Sequence, residues 1–231
     1  MTAFSAARIS EAVHWVGALD FDLRDFHGYL TGRGTTYNAY LVRGETNVLI
    51  DAVKAPFRDE LISRLRSVIP LDEIDVIVSL HSEMDHSGCL PELIQACRPD
   101  RVLASPNGVK ALRDHLRLEG VEVVADGQTV DLGGGRRLTF LHSPMIHWPD
   151  SMMAHLSGDD VLFSQDGFGQ HLATGDRFDD QVNQDVLWYE TAKYFANILM
   201  PFSAPTLKLT DRIAESGLPI RIIAPDHGVV W

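Results

Sequence analysis

Seven side chains that could hold a metal sit in four short segments, each placed after an apolar run. "IDVIVSL" leads into "HSEMDHSG", which carries His81, Glu83, Asp85 and His86. "LTFLHSPMI" leads to His147, "DVLFSQ" to Asp166, and "IRIIAP", by way of Asp226, to His227, the last of the seven. Strand ends are rigid supports, and loops leaving several of them can converge on one point. Four neutral imidazoles and three carboxylates make a nitrogen and oxygen donor set without thiolate. Imidazole suits zinc, iron and copper, and added hard carboxylates favour iron or manganese. Three negative charges nearly neutralise two divalent ions and also stabilise a higher oxidation state. A hydrolytic dizinc site needs only a Lewis acid and a bound hydroxide. Glu83, Asp85 and Asp166 therefore point toward a redox di-iron site.

The spacing inside "HSEMDHSG" bears on how the ions would share it. On an extended segment His81, Glu83 and Asp85 point the same way, and His86 joins them if the chain turns at Ser87-Gly88. One segment would then serve two adjacent metals, His81 and Glu83 on one, Asp85 and His86 on the other. The plainer alternative is a polar loop capping a helix that starts at Pro91.

The elements that must position these residues follow from the patterning. "GTTYNAYLVRGETNVLIDAV" reads as a hairpin turning at "RGET". "FRDELISRLRSVI" has Phe57, Leu61, Leu65 and Ile69 at helical spacing. "PELIQAC" and "NGVKALRDHL" read as helices, "DRVLASP" as a strand, and "VEVVADGQTVDLGGGRRLTFLHSP" and "MMAHLSGDDVLFSQDGFG" as strands joined by turns. "DQVNQDVLWYETAKYFANIL" predicts the longest helix, stopped by Pro201, and "TLKLTDRIAESG" another, ended by Gly217. Hairpin-linked strands come early and again in the middle, each block followed by helices. That order predicts an α/β fold of two mixed sheets with helices outside, a four-layer αββα sandwich.

Composition sets the boundaries. The 231 residues suit one large domain, 1–231, with a substantial core. A net charge of -12 argues against nucleic acid or an anionic membrane as partner. "MTAFSAARIS" lacks the apolar core of a signal peptide. Two cysteines, Cys89 and Cys97, are too few for a disulfide framework, so a reducing cytoplasm is expected. "DLGGGRR" resembles a phosphate cradle, but no helix pattern follows, which favours a hairpin turn. "SPNGVKAL" lacks the residues of a P-loop. Cys89 reads as a small buried residue, His142 and His155 as core or surface histidines, and His171 as a neighbour of the metal ligands.

"VHWVGALDFDLRDFHGYLTGRGTTYNAYLV", "HSEMDHSG", "SPMIHWPDSM", "VLFSQDGFGQH", "KYFANILMPFS" and "APDHG" together resemble the di-iron domain of the flavodiiron proteins. These are a branch of the metallo-β-lactamase-like superfamily, and the wider superfamily has histidine where Glu83 stands. The likeness covers nearly the whole chain. It implies the αββα fold and two iron ions. By motif, His81, Glu83 and His147 would bind one iron, Asp85, His86 and His227 the other, and Asp166 would bridge them. Tyr194 matches a family tyrosine near the pocket that could donate a hydrogen bond to bound dioxygen. Packing of a helix onto the sheets is its alternative role.

Flavodiiron proteins continue into a flavodoxin-like domain holding FMN. This sequence stops at Trp231 without a phosphate loop for FMN, so a stand-alone form, with no FMN in this chain, is the expectation. Two readings follow from the resemblance. One is an oxidoreductase that reduces O2 to water or NO to nitrous oxide, fed by a separate flavoprotein or rubredoxin. The other is an O2-binding protein that holds a long-lived adduct and acts through a signalling partner. A zinc-dependent hydrolase is the third reading, which Glu83 opposes. Family members often form head-to-tail dimers, which makes a homodimer a candidate assembly.

Overall fold

An apolar run with no polar alternation belongs in a strand covered on both faces. Val76–Ser79 is such a strand, buried along its whole length. The computed structural model describes residues 4–231, and the first three residues of the opening segment lie outside it. Val76–Ser79 is an interior strand of a seven-stranded mixed sheet whose order is Ala7–Arg8, Val13–Trp15, Tyr40–Val42, Val48–Ile50, Val76–Ser79, Arg101–Ala104 and Glu122–Val123. A five-stranded sheet runs Thr129–Gly133, Arg136–His142, Met152–Leu156, Val161–Gln165 and Ile222–Pro225. Its last pair is parallel and the others antiparallel.

The period of two decides which residues meet between the sheets. Tyr40, Val42, Val48, Ile50, Val76 and Val78 from the first sheet pack with Phe140, Ala154, Val161 and Phe163 from the second. Their alternates Leu41, Leu49 and Ile77 face the other way, onto helices α1 (Arg58–Arg66), α3 (Leu90–Cys97) and α4 (Pro106–Leu116). Beyond the second sheet, Leu141, Met153 and Leu162 pack on the helical stretch from Tyr194 to Ile213. Two sheets between two helical layers are the αββα sandwich. Truncating a fully buried inter-sheet ring such as Phe163 to alanine costs about 3–5 kcal/mol.

Two expectations need correction. Strand Thr35–Tyr37 pairs with Ala18–Asp20 in a separate two-stranded sheet, and only Tyr40–Val42 and Val48–Ile50 form the expected hairpin. The break falls at Asn38, whose amide group is bonded across the two large sheets: its Nδ2 donates to Pro225 O at 2.7 Å and its Oδ1 accepts from Trp15 Nε1 at 2.7 Å. The second correction concerns the long helix. Helix α5 covers only Gln184–Tyr194, capped by the Asn183 side chain on Val186 N. The chain continues through a π-helical turn, Phe195–Leu199, and a 3-10 turn, Met200–Phe202, into α6, Ser203–Glu215, the longest α-helix among the described residues. Pro201 stands in the first turn of that 3-10 segment, where a missing N–H costs nothing, so it redirects the chain instead of stopping it.

"DLGGGRR" is the hairpin turn between Thr129–Gly133 and Arg136–His142. Cys89 and Cys97 are buried free thiols under the first sheet's outer helices. No helix among the described residues is long and apolar enough to cross a membrane.

Candidate metal centre

All four donor segments leave the carboxyl ends of strands, from both sheets: Val76–Ser79, Arg136–His142, Val161–Gln165 and Ile222–Pro225. The fold gathers their side chains into two groups, His81, Glu83, His147 and Asp166 in one and Asp85, His86 and His227 in the other. Asp166 stands between them. Its Oδ2 lies 2.8 Å from His147 Nε2 and 3.6 Å from His81 Nε2. Its Oδ1 lies 3.3 Å from His86 Nε2 and 3.5 Å from His227 Nε2. Glu83 Oε2 is 3.2 Å from His147 Nε2 and 3.3 Å from His81 Nε2. Asp85 Oδ2 is 3.2 Å from both His86 Nε2 and His227 Nε2.

The period-two picture of "HSEMDHSG" does not survive. Glu83 is the extended residue before a single helical turn, α2 (Met84–Ser87), closed by Ser87 N donating to Glu83 O at 2.9 Å. That turn rotates Asp85 and His86 away from the direction of Glu83, toward the second group. Gly88 is helical and not a reversal. A side chain there would run into Met84 O and Ala55 N, so the glycine permits close packing.

The donors have the signature of ion ligands. Both oxygens of Asp85 and Asp166, both nitrogens of His86, and Nε2 of His147 and His227 are buried without a hydrogen-bond partner among the described residues. They lie close but are not aligned for hydrogen bonding, because they point at shared spaces and not at each other. Buried polar atoms left this way cost stability unless a cation satisfies them. Electrostatics agree. Burial alone would neutralise His81, but Asp150 and Glu83 beside it outweigh that and push its pKa up to about 10. Burial would likewise protonate Glu83, yet His147, His27 and His81 hold it far below the usual carboxylate range. The charge of His86 and the nearby His147 do the same at Asp166. The cluster is a strongly negative site balanced by positive charge, whether as protons on imidazoles or as cations between them. Donor chemistry and orphaned atoms thus fit two metal ions.

Supporting contacts fix the ring orientations. His81 Nδ1 is 3.3 Å from Asp150 Oδ2, which also accepts from Ser82 N at 2.7 Å. His227 Nδ1 donates to Thr36 O at 2.7 Å. Its loop is held by Asn38, whose backbone N–H donates to Asp226 O at 2.7 Å. At Gly228, φ is +81° and a Cβ would overlap the Gln170 side chain, so only glycine closes this loop. Left-handed backbone at non-glycine residues also gathers here: His27, Asp51, Met145, Gln165 and Phe168 flank the centre. Such strain concentrates at functional sites.

His171 does neighbour the site, with Nδ1 2.8 Å from Thr35 Oγ1 and its ring 4.6 Å from that of His227. His142 and His155 instead bind backbone carbonyls, of Val124 and Pro219. The Tyr194 ring lies 5.0 Å from His171 and 6.1 Å from His227, and its buried hydroxyl has no partner among the described residues. It belongs equally to the apolar layer under the second sheet, so the two roles proposed for it are not exclusive. Sequence reasoning missed His27, whose Nε2 is 3.3 Å from Glu83 Oε1, and the support from Asp150. The Asp-Phe-His stretch before Gly28 carried no strand or spacing signal for His27. Asp150 stands three residues after His147, a proximity that could have drawn notice.

A four-layer sandwich with two His and carboxylate groups at its strand ends is a metallo-β-lactamase-like domain. A family model described as ODP family beta lactamase matches residues 35–228, and the chain belongs to that family. It is 44% identical over 227 residues to the anaerobic nitric oxide reductase flavorubredoxin homolog of Escherichia coli O157:H7, covering 96% of this chain and 55% of that protein. Among solved structures it resembles rubredoxin oxygen:oxidoreductase from Desulfovibrio gigas, at 43% identity and a TM-score of 0.95, over 98% of this chain and 57% of that one. The flavodiiron protein from Giardia intestinalis matches at 34% identity and a TM-score of 0.93, over 100% of this chain and 56% of that one. The chain spans about half the length of the curated relatives it matches.

Proposed function

We propose that this domain holds two iron ions and binds O2 or NO at that centre, reducing the gas when a separate flavoprotein or rubredoxin supplies electrons. In this reading His81, Glu83 and His147 hold one ion, Asp85, His86 and His227 the other, and Asp166 bridges. The observation that carries it is Asp166, whose two carboxylate oxygens face opposite groups of donors. Glu83 supplies the third carboxylate, which favours iron over zinc. Two ferrous ions would supply the electrons and open coordination positions that a small gas needs.

The protein's own groups do the rest. Asp150 and the Thr36 carbonyl fix the tautomers of His81 and His227, so that their Nε2 atoms face inward. Burial of Asp85, His86, His227 and Asp166 excludes bulk water from the second group. Glu83 and His147 remain partly exposed, which leaves one edge open toward a donor. The relatives named for nitric oxide reduction and for rubredoxin:oxygen chemistry support the same reading.

Metal analysis of protein from iron-replete cells tests the metal, and about two irons per chain is the expected result. Zinc in both positions, with hydrolysis of a thioester or lactam, would overturn it. Stopped-flow mixing of the reduced protein with O2 or NO, with and without an electron donor, tests the reaction. Multiple turnover is expected with the donor. A coloured species that reductant barely affects would sink the reductase part and leave a protein that only holds the gas.

A further inference from the structure

Against the outer face of the second sheet lies a cavity of about 160 Å³. Its inner wall is buried and apolar, with Ile146, Met153 and the ring of Tyr194. Its outer rim reaches the surface at Phe168, Phe195 and Thr210. Of the three threonine hydroxyls that line it, two are spent on their own helix, Thr206 donating to Phe202 O and Thr210 to Thr206 O, each at 2.9 Å, while that of Thr191 is buried without a partner among the described residues. An apolar cavity of about 150 Å³ stays dry and takes up xenon, and a water-sized molecule needs only about 30 Å³.

The cavity touches the metal centre through three lining residues. Ile146 and Gly167 are the covalent neighbours of His147 and Asp166. Tyr194 lines the cavity while its ring also contacts the rings of His171 and His227. Gly169 lets that ring approach, since a Cβ there would stand 3.3 Å from Tyr194 Cζ. The π-helical turn begins at the next residue, Phe195, which forms part of the rim. Such turns recur at functional sites.

We propose that this cavity is a binding site and entry route for small apolar gas molecules, leading past Tyr194 to the metal centre. The inference rests on the proposed gas chemistry of that centre. Apolar diatomics partition into a mainly apolar space more readily than ions do, so the route would favour the reactant gas over charged solutes.

Crystals of the metal-free protein pressurised with xenon test the cavity without reference to iron. Xenon is expected in the wild type and absent from Thr191→Phe, which fills the cavity from α5, and from Thr210→Leu, which narrows the exposed rim. In the iron-loaded protein, both substitutions should slow NO association and NO dissociation by about the same tenfold, because the route in is also the route out, while iron content and NO affinity stay nearly unchanged. No xenon in the wild-type cavity overturns the binding site. Wild-type association rates in variants that have lost xenon overturn the route and place entry at the edge near His27 and Glu83. Should Thr191→Phe fail to fold, the exposed Thr210→Leu decides. Failure to load iron would count against the proposed function, and the xenon result is read independently of it.

Discussion

The two halves of the metal centre are built on the same donor types but on different foundations. The first, with His81, Glu83 and His147, keeps an exposed edge: Glu83 is 17% and His147 10% accessible at the side chain. Its support comes from side chains, Asp150 on His81 and His27 on Glu83. The second, with Asp85, His86 and His227, is sealed, and its firmest support is a backbone carbonyl, Thr36 O on His227. A side-chain support can be adjusted without moving the fold, whereas a backbone support ties the ion to the sheets. The contrast makes the first half the exposed and adjustable one and the second the enclosed and fixed one.

Asp166 is where the contrast should disappear, because it serves both halves. Asp166→Asn keeps the shape but removes the shared negative charge and replaces one of the two oxygens by an NH2 group that cannot bind a cation. Iron should be lost from both positions, by more than the roughly 10–100-fold in affinity that follows loss of a group behind a ligand. Metal analysis after gel filtration checks this, and retention of one full iron per chain would break the bridging assignment. Glu83→His should come next and act on the first half alone. It replaces a hard anion by a neutral imidazole, so iron retention there falls relative to zinc while the second position keeps its iron. Unchanged iron at both positions, measured in cells supplied with both metals, would count against the charge argument.

The supporting groups separate the halves more finely. Asp150→Asn leaves His81 Nδ1 without its anionic partner and should weaken the first position by about 10-fold or more. Asp226→Asn should do less to the second, since Asp226 Oδ2 stands 3.6 Å from His86 Nδ1, beyond a good hydrogen bond. Chelator competition on the two variants gives the order directly. A larger loss from Asp226→Asn would reverse the assignment of side-chain support to one half and backbone support to the other.

The sequence displays the centre unevenly for the same physical reasons. Apolar runs reveal the strands, because burial on both faces demands them, and the donors after those runs are visible with them. The direction of Asp85 and His86 was not visible. It depends on one helical turn after Glu83, and four residues are too few for a period to register. The partners of His27 and Asp150 are hidden for another reason. Asp150 stands near His147 in the sequence, but its contact with His81, like that of His27 with Glu83, joins segments that meet only in the folded chain, and no local pattern encodes it. The long α-helix ends at Tyr194, where the π-helical turn Phe195–Leu199 takes over, a change no apolar period signals; Pro201 then begins the next turn, which proline does with the same local logic by which it ends a helix.

The smallest effect expected lies far from the metals and serves as the control for both halves. Asp159 accepts from Ala12 N at 2.9 Å and from Arg136 Nε at 2.8 Å, with Ser10 also bonded to it. Burial would raise its pKa, but the Ser10 hydroxyl, the Ala12 amide and the Arg136 guanidinium together lower it. A carboxyl depressed in the folded state stabilises above its unfolded pKa, about 3.9, and that stabilisation fades as pH falls through the folded value. Asp159→Asn should therefore lower the thermal midpoint of the metal-free protein at pH 6–7 by a few degrees at most, with the gap from wild type closing below about pH 4. Iron content of the loaded protein should not change. A loss of iron in this variant would mean that general destabilisation mimics ligand loss, and the larger effects at Asp166, Glu83 and Asp150 would then need to exceed it before they report on the two halves.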